Sequence, residues 1–340
     1  MGRTPAYSQR GQPVSRDAKI AVSMGCRKLH GWRKDSATVS SLPDCALIVP
    51  TFGRPVEMVR LLNAVRALED APGEVIVVDG SPDDSVNDAV WRWADNRELP
   101  FNLVYIKSPP GLTRQRNVGL DACEREFLFF LDDDCLPLPG YFQSIRNVFT
   151  RDQAGEVGAV RGFLTDCVER TVPLLWKIRF ALGIVPRGRP GKYHPCGTSG
   201  TWNGVAPFHG TLEVDVLAGG ASAYRRDVFR NHRFSEFFYG YAQGEDFEMA
   251  LRIGKEWKLL ICGDARVEHR HAESGRPDGI RRGRMAARNR YFIWKRHSPS
   301  PGLLNRFRFW ADHLLMIIYY TASFVIRPYR VYPLGFAIGT

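Results

Sequence analysis

Apolar and polar positions alternate in blocks along the first part of the chain. Cys45-Ala-Leu-Ile-Val-Pro50 is a continuous apolar run that stops at Thr51-Phe-Gly-Arg-Pro55, a turn signal, and so predicts a buried strand leading into a loop. Glu57 to Glu69 then places Met58, Leu61, Leu62, Val65 and Leu68 on one helix face. Glu74-Val-Ile-Val-Val78 is a second apolar run, closed by Asp79-Gly80-Ser81-Pro82. Val86 to Trp93 suits a second helix, Asn102 to Ile106 a third strand, Leu112 to Ala122 a third helix, and Glu126 to Leu131 a fourth strand. Alternation of this kind with continuously apolar strands predicts an α/β fold, with a mostly parallel central sheet flanked by helices. Ligands of such sheets bind beyond the carboxyl ends of the strands. Those ends here carry Pro50-Thr51, Asp79-Gly80-Ser81 and Asp132-Asp133-Asp134.

From about residue 155 the alternation fades. Pro186 to Phe208 is rich in Gly, Pro and Thr and reads as a long loop, of a kind uncommon unless it covers a site. A strand over Val214–Leu217, a turn at Gly219-Gly220, a helix from Arg226, a helix over Glu245–Gly254 and a strand over Lys258–Ile261 follow. Arg288–Lys295 and Leu303–Ile326 mix basic and apolar residues, which fits both an amphipathic membrane-resting surface and a helical pair packed on the domain. The run Leu314–Ile326 falls short of the ~20 apolar residues that cross a bilayer.

Charge refines this picture. The chain of 340 residues carries +11, of which residues 1–44 hold +5 and residues 276–330 hold +10, leaving −4 for the rest. A slightly acidic body with basic ends argues against a nucleic-acid binder, whose basic surface runs through its fold. It suits contact with an anionic membrane surface or a lipid pyrophosphate, and equally a solubilising role. The seven cysteines are scattered singly, without metal or redox spacing, and read as reduced thiols of a cytosolic protein. The N-terminal stretch lacks an apolar leader core and reads as a tail.

The sharpest chemical signal is Phe129-Phe-Leu-Asp-Asp-Asp134. Three successive carboxylates at a strand end repel one another unless a cation sits nearby. On an extended segment alternate side chains point the same way, so Asp132 and Asp134 are expected to converge on one ion. Oxygen ligands suit Mg2+ or Mn2+, which leave coordination positions for substrate phosphates. A solvated acidic turn is the plain alternative.

Together with this run, four further segments resemble the family 2 glycosyltransferases, inverting enzymes of the GT-A nucleotide-sugar-binding (Rossmann-like) fold. They are Ile48-Val-Pro-Thr-Phe-Gly-Arg54, Val77-Val-Asp-Gly-Ser81, Arg116-Asn-Val-Gly119, and Gly244-Glu-Asp-Phe-Glu248 with Arg252, all in the family's order over residues 44–297. The resemblance implies that Pro50, Thr51, Arg54, Asp79, Ser81, Arg116, Asn117, Asp132 and Asp133 serve the nucleotide-sugar, with Asp79 on the base. It implies Asp132, Asp134 and His269 as metal ligands, Asp246 as catalytic base with Glu245 in support, and Gly219 and Gly220 on the acceptor side. Trp202, Tyr239 and Tyr241 offer aromatic faces to an acceptor sugar, or simply belong to the core. Gln115 departs from the small residue that many relatives place before the Arg-Asn pair.

The expected organisation is a basic flexible tail at 1–43, a catalytic domain at 44–297, and an amphipathic, membrane-facing segment at 298–340. The domain divides into a nucleotide-binding half (44–135) and an acceptor-binding half (136–297). The expected partners are a UDP- or dTDP-sugar and a lipid-linked or polysaccharide acceptor, and the expected location is the cytoplasm, peripheral on the inner face of the cell membrane. A nucleotidyltransferase of similar fold and a catalytically inactive nucleotide-sugar-binding protein are the alternatives. The first would show a glycine-rich triphosphate loop where Pro50-Thr-Phe-Gly-Arg54 stands. No Gly-x-Gly-x-x-Gly follows the first strand, which argues against a dinucleotide oxidoreductase.

Overall fold

In the computed structural model the described residues are 27–29, 41–167, 173–202, 205–217, 219–272, 278–326 and 335–336. Most of the tail expected at 1–43 lies outside them, as does Arg276, where the basic C-terminal stretch begins. In chain order the first elements are β1 (Arg27–Leu29), β2 (Leu42–Thr51), α1 (Pro55–Arg66), β3 (Pro72–Asp79), α2 (Ser85–Ala94), β4 (Asn102–Lys107), α3 (Leu112–Ala122) and β5 (Phe127–Leu131). The expected alternation is present, with ends shifted by a few residues. Then come β6 (Cys135–Pro137), α4 (Tyr141–Arg151), β7 (Val157–Leu164), α5 (Leu174–Ala181), β8 (Tyr193–His194), β9 (Thr198–Ser199), β10 (Thr211–Val214) and β11 (Ala221–Arg225). The last elements are α6 (Glu245–Ile253), β12 (Lys258–His269), α7 (Gly279–His297) and α8 (Gly302–Ile326).

One sheet of ten strands, ordered β1-β4-β3-β2-β5-β11-β7-β12-β10 with β6 paired to β12, runs through both halves. β4, β3, β2, β5, β7 and β12 share one direction, while β11 lies antiparallel between β5 and β7. The sheet is thus mostly parallel, and it is covered on both faces. Leu47, Val49, Val75 and Val77 face a core with α1, α2 and α4; Ile48, Ile76 and Val78 face the opposite core with α3 and α6.

The second half departs from the pattern-based reading in physically instructive ways. β7 is a wholly central strand where the alternation fades; its glycines, Gly158 and Gly162, lie against Trp257 and Tyr141, which fill the space that side chains would need. Ala221-Ser-Ala-Tyr-Arg225 is a strand rather than a turn before a helix, and a short 3-10 turn, Arg226–Arg230, takes the helix's place. Ala and Ser have weak strand propensity, and pairing with two neighbours overrides it. The strand expected over Val214–Leu217 ends at Val214, and the one expected to stop at Ile261 continues to His269 past a register shift between Cys262 and Arg266. The Pro186–Phe208 loop contains a small antiparallel pair, β8 with β9.

The C-terminal helices pack on the domain. Trp294 of α7 stacks on Phe309 of α8 with ring centroids 3.8 Å apart. Asp312 of α8 is buried between two arginines, accepting from Arg179 of α5 at 2.5 and 2.7 Å and pairing with Arg290 of α7. Cys45, Cys123, Cys135, Cys196 and Cys262 are buried free thiols.

Candidate functional site

After β5 the chain turns instead of extending, with Cys135 N–H donating to the Asp132 carbonyl at 3.0 Å. The three carboxylates are therefore carried by a turn rather than an extended segment, and their nearest partners differ. Asp132 meets Arg116 Nη2 at 3.2 Å. Asp133, almost fully buried, accepts from Thr51 Oγ1 at 2.8 Å and Arg54 Nη1 at 2.7 Å. Asp134 accepts from Ala272 N–H at 2.9 Å and lies 3.4 Å from His269 Nε2 and 3.7 Å from Arg54 Nη1. Burial pushes the Asp133 carboxyl up to about 6 despite Arg54 and Thr51. Burial also opposes ionisation of Asp134, but His269 and Arg54 outweigh it and hold that carboxyl below its usual range.

Arg116 is the hub of the site. It rises from the second turn of α3 and is 2% exposed. Nη1 donates to Glu245 at 2.9 Å and to Asp246 at 2.5 Å, so one guanidinium joins the acid turn to the first turn of α6. Burial disfavours its charge, yet Asp246, Glu245 and Asp132 together keep it protonated. Burial and the neighbouring Asp246 push Glu245 well up, against Arg116. Gly244, in the left-handed region at φ 89°, occupies the cap position of α6 and turns the chain so that both acids face inward.

Gly219 packs directly against the second oxygen of Asp246. A Cβ there would stand 2.1 Å from Asp246 Oδ2. Gly220, at φ 91°, approaches Asp132 Oδ2 in the same way, with a Cβ position 3.1 Å away. The glycine pair therefore lies directly against the two carboxylates. Asn117, expected beside the nucleotide, forms a two-way pair with the Phe234 backbone, at 3.0 and 3.1 Å, and orders the loop before α6.

At the carboxyl ends of the first parallel strands, Pro50 and Thr51 end β2 and are buried. Asp79 ends β3 wholly buried, and both its oxygens already have protein donors: Ser81 N–H at 2.8 Å, the Ser81 hydroxyl, Tyr105 OH at 2.6 Å and Lys107 Nζ at 2.9 Å. Lys107 is the most exposed of these partner side chains. Tyr105 and Lys107 are invisible as site residues in the sequence, where they read as ordinary strand positions. Gln115 acts structurally, since its Nε2 donates to the carbonyls of Thr51 and Val78, both at 2.8 Å, and so ties the ends of β2 and β3 to α3.

On the other side, Tyr241 is half-buried and within electrostatic reach of Arg54. Tyr239 is exposed, with the Arg288 guanidinium 4.5 Å over its ring. Trp202 packs partly buried against the core beneath α6.

A divalent cation fits at Asp134. The Asp134 carboxylate, His269 and Cys135 bring one donor atom each within 4.8 Å of one another. Burial and the nearby Asp132 and Asp134 push the Cys135 thiol well up, so the ionised oxygen and the imidazole are the competent ligands. Two surface recesses, of 350 and 810 Å³, involve none of these residues.

Comparison with known proteins places this arrangement. Over 107 residues, 31% of this chain and 34% of the relative, the sequence is 32% identical to the GalNAc(5)-diNAcBac-PP-undecaprenol beta-1,3-glucosyltransferase of Campylobacter jejuni. The match thus spans about a third of that relative's length. Among solved structures, the mannosyltransferase PcManGT from Pyrobaculum calidifontis, in complex with GDP-Man and Mn2+, is similar at a TM-score of 0.53 and 16% identity, over 95% of this chain and 92% of that one. GalNAc-T7 with UDP, GalNAc and Mn2+ is similar at a TM-score of 0.51 and 15% identity, over 72% of this chain and 48% of that one. At these identities the structural likeness establishes the glycosyltransferase fold. The profile described as Glycosyl transferase family 2 matches residues 46–233, more than half of the sequence, and the chain belongs to that family.

Proposed function

We propose that this protein transfers a sugar from a nucleoside-diphosphate donor, UDP- or dTDP-linked, to a hydroxyl of a lipid-linked or polysaccharide acceptor, with inversion. The observation that carries the reading is the linkage through Arg116 of the acid turn, next to the cation position at Asp134, to Asp246 at the start of α6. The acceptor oxygen bonds to the anomeric carbon as the bond to the diphosphate oxygen breaks, the electron pair leaving with the diphosphate. Asp246 takes the acceptor proton on the oxygen that faces Gly219. Asp134 and His269, with Asp132 beside them, would hold a divalent cation, which supplies charge stabilisation to the departing diphosphate. The Mn2+ in both similar structures supports the cation, their nucleotides (GDP-Man in one, UDP in the other) support a nucleoside-diphosphate donor, and the undecaprenol diphosphate in the relative's name supports a lipid-linked acceptor.

A donor screen with product analysis tests the reading. Nucleoside diphosphate is the expected product; release of pyrophosphate instead assigns the nucleotidyltransferase reaction, and release of neither leaves a binding protein. Calorimetry should show nucleoside-diphosphate affinity raised by Mn2+ or Mg2+, with the gain absent in Asp134→Ala. Equal affinity with Mn2+ and with EDTA in the unaltered protein would remove the cation from the site.

Membrane contact is the second part of the proposal. No helix among the described residues is long and apolar enough to cross a bilayer. On α8, however, Leu303, Phe307, Trp310, Leu314 and Ile318 recur every three or four residues and are each between 53% and 86% exposed. Phe309, Asp312 and His313 face the domain, so the buried arginine clamp fixes the apolar stripe outward. An apolar helix face in a strongly basic region matches the headgroup boundary of an anionic membrane. Replacing Phe307 and Trp310 together by Glu is expected to weaken co-sedimentation with phosphatidylserine vesicles by about tenfold or more, each large side chain contributing roughly 1.5–3 kcal/mol when buried. Unchanged co-sedimentation would show that α8 does not hold the membrane.

A further inference from the structure

β7 and β12 run side by side, Val267 opposite Leu164, so the turn after β7 and the end of β12 meet at one place on the carboxyl edge. Asp166 stands in that turn, and His269 ends β12. The next residues are pinned to the acid turn, Arg270 N–H donating to the Asp134 carbonyl and Ala272 N–H to the Asp134 carboxylate, both at 2.9 Å. Between these two anchors His271 adopts φ 52°, the left-handed region that residues with a Cβ rarely occupy. This conformation brings its imidazole against that of His269, ring centroids 3.8 Å apart, and its Nε2 to 2.7 Å from Asp166 Oδ2. Strained backbone that the surroundings enforce is often found at functional positions.

One donor atom each from Asp166, His269 and His271 lies within 4.8 Å of the others. Ligand atoms about 2 Å from one cation stand roughly 3 Å apart, so His269 closes on the pair while Asp166 and His271, hydrogen-bonded at 2.7 Å, part slightly and exchange that bond for two metal bonds. Two imidazoles and a carboxylate favour transition ions such as Mn2+, Co2+ or Zn2+, whereas Mg2+ prefers oxygen ligands. We infer that Asp166, His269 and His271 form a transition-metal site of their own, next to the cation position at Asp134 and sharing His269 with it. The site stands on these three side chains and does not require the glycosyl-transfer reading. Because His269 is shared, an ion that engages it here draws it from Asp134, so Zn2+ or Co2+ competes with the cation that serves the nucleotide.

Titration of the chelator-stripped full-length protein with Co2+, followed by visible absorption, tests this independently of activity. Asn tolerates the left-handed backbone and keeps a polar tip toward Asp166 but brings no imidazole. His271→Asn and Asp166→Asn are each expected to weaken Co2+ binding by at least about tenfold, as loss of groups at a metal site does, with melting temperatures near that of the unaltered protein. Asp134→Asn should retain the imidazole-bound Co2+ spectrum while losing the cation-dependent gain in nucleotide affinity. Co2+ held equally well by His271→Asn and Asp166→Asn, or not held by the unaltered protein, overturns the proposal. Loss of the spectrum in Asp134→Asn alone would assign the ion to Asp134 and overturn it as well.

Discussion

Asp246→Asn is expected to fold, bind donor and lose sugar transfer by about 10²–10⁴-fold, the range that removal of a general base produces. The amide has nearly the shape of the carboxylate, so the contact with Gly219 survives while the oxygen that takes the proton is disabled. Glu245→Gln is expected to be milder. Glu245 is already pushed well up by burial and by Asp246, toward the neutral form that the amide mimics. The kinetic signature separates roles: kcat should fall in Asp246→Asn with donor affinity unchanged. Turnover near that of the unaltered enzyme in Asp246→Asn, with Glu245→Gln inactive, would transfer the role to Glu245. A product of retained anomeric configuration would remove the single-displacement mechanism.

The largest effect on stability is expected at Arg116. Arg116→Ala leaves Asp132, Glu245 and Asp246 without the cation that joins them, two of the three carboxylates being almost wholly buried. Breaking a buried charge pair from one side costs about 3–5 kcal/mol. The guanidinium also packs 5.3 Å from the centre of the Phe234 ring, so some apolar contact is lost with it. Arg116→Lys should recover only part of the loss, because an ammonium lacks the fork that spans Glu245, Asp246 and Asp132. The sign of the pH dependence follows from linkage. Without Arg116 the buried carboxylates take up protons more readily in the folded state than in the unfolded one. The destabilisation of the Ala variant should therefore shrink as pH falls and grow as it rises. Denaturant midpoints across pH measure this, and a midpoint equal to that of the unaltered protein at neutral pH would show that Arg116 is not the hub.

How much of this is legible in the residues alone differs between the two halves. From β2 to β5 the chain alternates apolar strands with amphipathic helices, and each signal is complete within a dozen residues. The acid run, the Glu245-Asp246 pair and His269 are likewise visible as motifs. The small-residue strand β11 is not, because its strand character comes from the hydrogen bonds of β5 and β7 and from no property of Ala-Ser-Ala itself. Lys107 and Tyr105 give no signal, since nothing local says that their side chains end on the carboxylate of Asp79.

By itself, then, the sequence determined the fold class and the edge of the sheet at which most of these charged groups gather, because periodicity and strand-end composition are local properties. Only the tertiary structure decided how those groups are wired. The turn after Leu131 sends Asp132, Asp133 and Asp134 to three partners. Arg116 reaches Asp246, 130 positions further along the chain. β7 and β12 bring Asp166 to His271 across 105 positions. Pair distances of this kind depend on which strands become neighbours, and that order is set by burial and backbone pairing over the whole sheet, which no short window of residues contains.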